Sequence, residues 1–132
     1  MSTLAVRVRQ DLLRSAVLTI AAITVVSGLL QLLAPAFVLT LVGGSTTPTT
    51  EHFFAIIGMF MAIVGGLVLH AELASDSREV ALLWGALQKY GAAIAVALGV
   101  GRGLFGALAL LVAGFDLVSG GLMTWHWRRT RH

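Results

Sequence analysis

The sequence predicts an all-α integral membrane protein, a four-helix bundle with short loops. Hydrophobic residues make up 58% of the 132 residues, and charged residues only 11%. A soluble domain carries roughly 25% charged residues, so this chain has too few polar side chains to cover a surface that faces water. The same composition excludes a disordered chain. Because the sequence contains no cysteine, disulfide scaffolds and thiolate metal sites are also excluded.

Four spans follow from the positions of the charged residues, because a helix needs ~20 apolar residues to cross the hydrocarbon core of a membrane. The charges lie between long apolar segments that show no alternation of the kind barrel strands have. We therefore expect helices, whose backbone groups bond to one another without water. The predicted spans, which together form a single domain, are 13–41, 53–73, 80–100 and 104–126.

The first span is longer than a membrane requires, and Pro35 lies inside it. Proline removes a backbone donor, so a kink or a break is expected there. Two arrangements remain open: a single tilted, kinked helix, or a span that ends near Leu33 with Phe37–Val42 along the outer interface. The second is favoured. The apolar run before Pro35 is ~19 residues, longer than the ~7–15 of a signal peptide, so we expect a retained helix.

The basic residues outside the spans predict the orientation. One side of the membrane receives seven arginines and the other receives Arg102 alone; the seven are Arg7, Arg9, Arg14, Arg78, Arg128, Arg129 and Arg131. Basic residues concentrate in cytoplasmic loops, so both termini are expected in the cytoplasm, and the protein in the inner membrane of a bacterium. The net charge of +3 reflects these arginines. No folded basic surface with interleaved aromatic residues is present, so nucleic-acid binding is not expected.

Aromatic and basic residues near the cytoplasmic boundary are predicted to anchor the bundle in the interface. Indole rings prefer the headgroup region, with basic residues just beyond it. The predicted anchors are Trp84, Trp125, Trp127, Arg128 and Arg129. The lipid bilayer is thus the first predicted partner.

Lys89 and Asp116 are the two formally charged residues deep inside spans. The third and fourth helices are joined by a short turn, Gly99–Gly103, so they must be antiparallel neighbours. Both residues lie about 20 Å from the centre of that turn at 1.5 Å per residue. Each also lies on a face of small side chains, which lets membrane helices approach closely. We therefore predict an intramembrane ion pair, which either joins the two helices or forms a proton or substrate site.

Other polar groups in the spans are candidate contacts. Tyr90 flanks Lys89 and is placed to add a hydrogen bond, and Gln31 on the first helix needs an interior partner. His70 and His126 fall near the cytoplasmic end of the second and fourth spans, where a shared metal, haem or quinone-headgroup site is an open alternative. No cofactor and no metal site are predicted otherwise, and no catalytic motif is present.

Glycine is frequent, with 15 residues, and several glycines recur at four-residue spacing with other small residues in the spans. Such patterns mark the contact faces of membrane helices. Four helices cannot easily bury every such face, so self-association or docking against a larger membrane complex is expected.

The layout resembles small four-helix inner-membrane proteins of the DoxX-like kind. The resemblance covers the whole chain and rests on Gly28-Leu29-Leu30 followed by Pro35, on Gly58 and Gly65, and on Lys89 and Asp116. It implies a four-helix membrane fold and a link to quinone-coupled redox systems. Since this sequence has no cysteine to support redox chemistry, no functional residue is carried over.

The leading functional interpretation is an accessory or structural subunit, or an oligomeric scaffold, without enzymatic activity. A second is a small oligomeric transporter or proton-coupled carrier that uses Lys89, Asp116 and Gln31. A third is a redox subunit that contacts quinone or haem through His70, His126 and Tyr90.

Overall fold

Five helices form in the computed structural model, which describes residues 2–131. They are α1 (Thr3–Leu33), α2 (Pro35–Leu41), α3 (Pro48–Ala74), α4 (Arg78–Gly101) and α5 (Ala109–Thr130). The prediction of an all-α bundle is confirmed. The four long helices α1, α3, α4 and α5 are each long and apolar enough to cross a membrane.

The chain breaks at Pro35, as the favoured alternative predicts. Helix α1 ends at Leu33, Ala34 leaves the helical conformation, and Pro35 occupies the first turn of α2. Proline is suited to that position because the first helical N–H groups have no partner within the helix. The start of α1 differs from the predicted residue 13: the helix begins at Thr3, and the Ser2 side chain caps it. Helical structure extends through a charged, exposed segment that is too polar to belong to the span itself.

The connection between α3 and α4 is a tight turn. Helix α3 begins with a capping box in which Thr47 and Thr50 bond each other's backbone N–H groups. Helix α3 ends at Ala74, and beyond it both Ser75 and Ser77 have positive φ angles, of 52° and 55°. Two left-handed residues reverse the chain within a few positions, so α4 returns beside α3.

The connection between α4 and α5 is longer than predicted, and the fourth span does not begin at residue 104. Helix α4 continues to Gly101, and residues 102–108 form successive turns before α5 begins at Ala109. The N–H of Gly106 donates to the carbonyl of Val42 at 2.8 Å, and the Phe105 ring packs on Gly99. This loop is therefore held against the turn that follows α2.

The long helices pack as two pairs, α1 with α3 and α4 with α5, with fewer contacts between the pairs. Gly28 and Gly58 allow the close approach of α1 and α3, since a Cβ atom on Gly28 would lie 2.5 Å from the Gly58 carbonyl oxygen. An apolar core joins the pairs; its buried members are Val17, Ile20, Ala21, Val68, Leu82, Ala86 and Met123.

The two ends of the bundle are distinct. At one end, which we call the terminal end, α1 and α4 begin and α3 and α5 end, so Ser2 and Arg131 both lie on this side. At the opposite loop end lie α2 and the connection from α4 to α5. Side chains that meet at each level therefore come from residues far apart in the sequence.

Candidate functional site

Lys89 and Asp116 form the ion pair expected from the sequence. The Lys89 Nζ atom lies 3.0 Å from Oδ1 of Asp116. Both residues are buried, with 3% and 7% of their surfaces exposed. Burying a charge in the bundle is costly unless it is paired and hydrogen-bonded, so this pair constrains how α4 and α5 meet.

Thr24 of α1 supplies the second acceptor for the lysine. Lys89 Nζ donates to Thr24 Oγ1 at 2.7 Å, and the Thr24 hydroxyl in turn donates to the Ile20 carbonyl at 2.8 Å. The ring of Phe115 lies 5.2 Å from Nζ, within range of a cation–π contact. We call Thr24, Lys89, Phe115 and Asp116 the Lys89 cluster, which connects three of the long helices.

Small residues bring these helices together, as the sequence predicts. On α4 Gly85, Ala86 and Ala93 are buried near Lys89. The buried face of α5 around Asp116 carries the small residues Ala109, Ala113, Ser119 and Gly120. The prediction did not identify Thr24, because nothing in the sequence ranks this threonine above the other hydroxyl side chains of the first span.

Tyr90 contributes to the same helix pair but not to Lys89. Its hydroxyl lies 2.9 Å from Thr124 Oγ1 on α5, and its ring covers Gly120, where a Cβ atom would lie 2.9 Å from the ring. The expected bond from Tyr90 to Lys89 is thus replaced by a second link between α4 and α5. The reason is geometric: adjacent residues point about 100° apart around a helix.

Gln31 finds its interior partner on α3. Its side-chain amide donates to the carbonyl of Phe54 at 2.9 Å, and the residue is 6% exposed. Gln31 lies beside the close crossing at Gly58, where a Cβ atom would lie 2.8 Å from the Gln31 Cβ. This polar group therefore fixes the pairing of α1 with α3.

A second polar cluster, which the sequence analysis missed, lies at the terminal end around Glu72. Glu72 is fully buried, and its Oε1 lies 2.9 Å from Nε2 of His126. The Nε atom of Arg14 lies 3.6 Å from Glu72 Oε2, and Nη1 of Arg78 lies 4.0 Å from the same oxygen. These four residues, the Glu72 cluster, join all four long helices.

The hydrogen bonds of the Glu72 cluster are incomplete. Oε2 of Glu72 is buried without a hydrogen-bond partner, because the two arginines approach it beyond hydrogen-bond distance. Arg14 donates through Nη2 to the backbone carbonyl of Glu72 at 2.9 Å, which caps the end of α3. Charged residues at the ends of spans are common in membrane-protein sequences. The one signal in the sequence for this cluster is that all four residues fall at the same end of the predicted bundle.

The structure does not bring His70 and His126 together. His126 is buried and bonded to Glu72, whereas His70 is exposed on the outer side of α3. Glu72 lies two positions after His70, which places their side chains about 200° apart around the helix. Among residues 2–131, no three His, Asp or Glu side chains converge as metal ligands.

The predicted anchors lie at the terminal end. Trp84 and Trp125 are exposed, and Trp127 packs partly against the apolar core. The guanidinium of Arg129 lies 5.6 Å from the Trp125 ring centre, and Arg128 is exposed. Stacked arginine and indole side chains suit the boundary between apolar and aqueous surroundings.

The two polar clusters are separated by the apolar core. Thr24 lies ten positions after Arg14 on α1, and His126 lies ten positions after Asp116 on α5. At 1.5 Å per residue, the clusters therefore lie about 15 Å apart along the helices. A cavity of only about 10 Å³ adjoins Lys89, among Val64, Val68 and Met123. This volume is at the lower limit for one water molecule, so the core between the clusters is tightly packed.

Comparison of the chain with family models, with curated proteins and with solved structures finds no match.

Proposed function

We propose that this protein is a non-enzymatic four-helix subunit of a bacterial inner-membrane complex, with both termini in the cytoplasm. The four long apolar helices support a membrane location. The excess of arginines at the terminal end supports the orientation. The DoxX-like resemblance remains a prediction, and it agrees with an accessory role rather than with a defined reaction.

The observation that carries this proposal is that the buried polar side chains of the Lys89 cluster bind one another. Lys89 has acceptors on two other helices, and the adjoining cavity of about 10 Å³ has room for one water molecule at most. Polar groups arranged in this way determine the packing of the helices. A catalytic or transport site needs space for a substrate beside its polar groups, so the small cavity favours the packing role.

The outward faces of α4 and α5 support lateral association. Gly91 on α4 and Gly114 and Gly121 on α5 have open space where a side chain would extend, and Ala95 is exposed next to this α4 face. Small residues at a helix surface let another membrane helix approach closely. We infer that a second copy or a larger complex packs on these faces.

The experiment is purification of the tagged chain from its native membrane in mild detergent, with sizing and identification of co-purified proteins. Gly91→Leu and Gly121→Leu should retain the fold, because a Cβ atom at either position has no neighbouring atom within 4 Å. Both should reduce the size of the complex. Gly66→Leu on α3 is the matched control, because that glycine also has open space, and it should retain the complex.

A wild-type protein that is strictly monomeric and purifies without partners would overturn the proposed subunit role. If the wild-type protein forms a complex that both variants retain, the proposed contact faces are wrong.

The burial of a charged pair in the middle of the bundle favours a second candidate, a proton-coupled carrier. Intramembrane ionisable residues commonly mark proton or ion pathways. Reconstitution in liposomes tests this role: a carrier would show proton or solute flux that Asp116→Asn abolishes. Visible absorption of the purified protein would reveal a haem, and a Soret band would favour the redox interpretation.

A further inference from the structure

The arginines of the Glu72 cluster have unused hydrogen-bond donors. Each guanidinium group carries five N–H donors. Among residues 2–131, Arg14 uses one of them for the Glu72 carbonyl, and the Arg78 side chain makes no hydrogen bond. The buried carboxylate between them accepts no hydrogen bond at Oε2.

The two guanidinium groups lie near each other, because Nε of Arg14 and Nη1 of Arg78 lie 3.6 Å and 4.0 Å from the same oxygen of Glu72. They are also accessible: the side chains of Arg14 and Arg78 are 39% and 34% exposed. Two arginines and one glutamate leave an excess of positive charge, and His126 cannot lower it. The unused donors therefore lie where the charged residues of the Glu72 cluster sum to a net positive charge.

The position of this surface matches the edge of a membrane. Arg78 is the first residue of α4, and Glu72 lies in the last turn of α3. The exposed indole rings of Trp84 and Trp125 lie at the same end of the bundle. At this depth the oxygen-rich groups available to an arginine include the phosphates of lipid headgroups.

We propose that Arg14 and Arg78 form a binding site for a phosphate group at the terminal end of the bundle. Guanidinium groups match the oxygens of a phosphate with paired N–H donors. Basic pockets between membrane helices bind phospholipid headgroups in this way. The phosphate belongs either to an anionic phospholipid or to free inorganic phosphate. A lipid headgroup at this site rests on the proposed membrane location, whereas neither ligand requires a partner subunit.

The test is thermal unfolding of the purified full chain in a non-ionic detergent, followed by tryptophan fluorescence. Phosphatidylglycerol, phosphatidylcholine and inorganic phosphate are added separately, and every variant is compared with its own sample without additive. Phosphatidylglycerol should raise the unfolding temperature of the wild-type protein by about 5 °C. Phosphatidylcholine should raise it less, because its ammonium group offsets the phosphate charge.

Arg14→Gln and Arg78→Gln should each lose more than half of that increase. Arg131→Gln is the matched control. It also removes one positive charge at the terminal end, but Arg131 stacks on Trp127 and does not belong to the Glu72 cluster. It should keep the full increase. Arg78→Gln keeps the test valid if Arg14→Gln fails to fold, because Arg78 makes no hydrogen bond that the fold needs.

An increase with phosphatidylglycerol alone would support the proposal and assign the site to a lipid headgroup. An increase with inorganic phosphate as well would support it and show that the phosphate group suffices. If no phosphate-bearing additive stabilises the wild-type protein, the proposal is wrong. It is also wrong if Arg131→Gln loses as much of the increase as Arg78→Gln, because the effect would then be general attraction to the basic end.

Discussion

The Lys89 cluster and the Glu72 cluster solve the same problem, a charge within a bundle of apolar helices, in different ways. Lys89 is paired with an anion and a hydroxyl at hydrogen-bond distance, and water has almost no room nearby. Glu72 is surrounded by two arginines and a histidine from three other helices, but one of its oxygens makes no hydrogen bond and both arginines reach solvent.

This difference follows from position in the bundle. In the middle, a partner that is removed cannot be replaced by water, so the remaining charge is left buried and unpaired. At the terminal end, water and headgroups can replace a lost partner. We expect the Lys89 cluster to be sensitive to single substitutions, and the Glu72 cluster to be more tolerant of them.

The largest effect is expected for Asp116→Leu, which leaves Lys89 without its anion. The free energy of unfolding should fall by about 3–5 kcal/mol, the usual result of breaking a buried ion pair. Denaturant titration in detergent measures this change. Asp11→Leu, at an exposed position on α1, is the control and should stay within about 0.5 kcal/mol of the wild type. Equal losses for the two variants would contradict a stabilising role for the buried Lys89–Asp116 pair.

A smaller effect is expected for Glu72→Gln. The glutamine amide keeps an oxygen acceptor, but the negative charge of Glu72, which Arg14, Arg78 and His126 surround, is lost. The free energy of unfolding should fall by about 2 kcal/mol, in the range of a hydrogen bond to a charged group. Glu79→Gln, which is exposed at the same end, should have little effect. A loss greater than that of Asp116→Leu would reverse the order we derive from burial.

Thr24→Val tests whether the second acceptor of Lys89 contributes. Valine has nearly the same shape but cannot accept the ammonium proton, so a loss of about 1 kcal/mol in the free energy of unfolding is expected. The control is Thr19→Val, because that hydroxyl is exposed and bonds only to the Ser15 carbonyl of its own helix. If the two variants have equal stability, Thr24 is not a functional part of the cluster.

The smallest effect is expected from salt. Raising the ionic strength from 0.1 M to 1 M shortens the screening length from about 10 Å to about 3 Å. The stability difference between wild type and Glu72→Gln should shrink by less than about 1 kcal/mol, since the arginines are partly exposed. The stability difference between the wild type and Asp116→Leu should not change with salt. Equal salt dependence would show that both clusters are equally open to water.

The sequence carries enough information to predict the Lys89–Asp116 pair, because these are the two charges deep inside spans and a short connection makes α4 and α5 neighbours. The pair forms although the connection extends to residue 108 instead of ending near Gly103. The break at Pro35 was also predictable, because proline fits the first turn of a helix and not its interior.

The Glu72 cluster could not be predicted in the same way. Its residues come from the ends of the four apolar spans, where charged side chains are common in any membrane protein. Which of them meet depends on how the two helix pairs pack against each other, and this packing is set by close contacts such as Gly28 with Gly58. Depth along the helices alone pairs His126 with His70, whereas the rotation of α3 turns Glu72 inward and His70 outward.

The most direct test of the central claim, that Lys89 and Asp116 serve helix packing, is the free energy of unfolding of the double variant Lys89→Met with Asp116→Leu. Replacing both partners by apolar side chains of similar size removes the buried charges together, so we expect stability within about 1 kcal/mol of the wild-type protein. A double variant that is as unstable as Asp116→Leu alone would contradict this account.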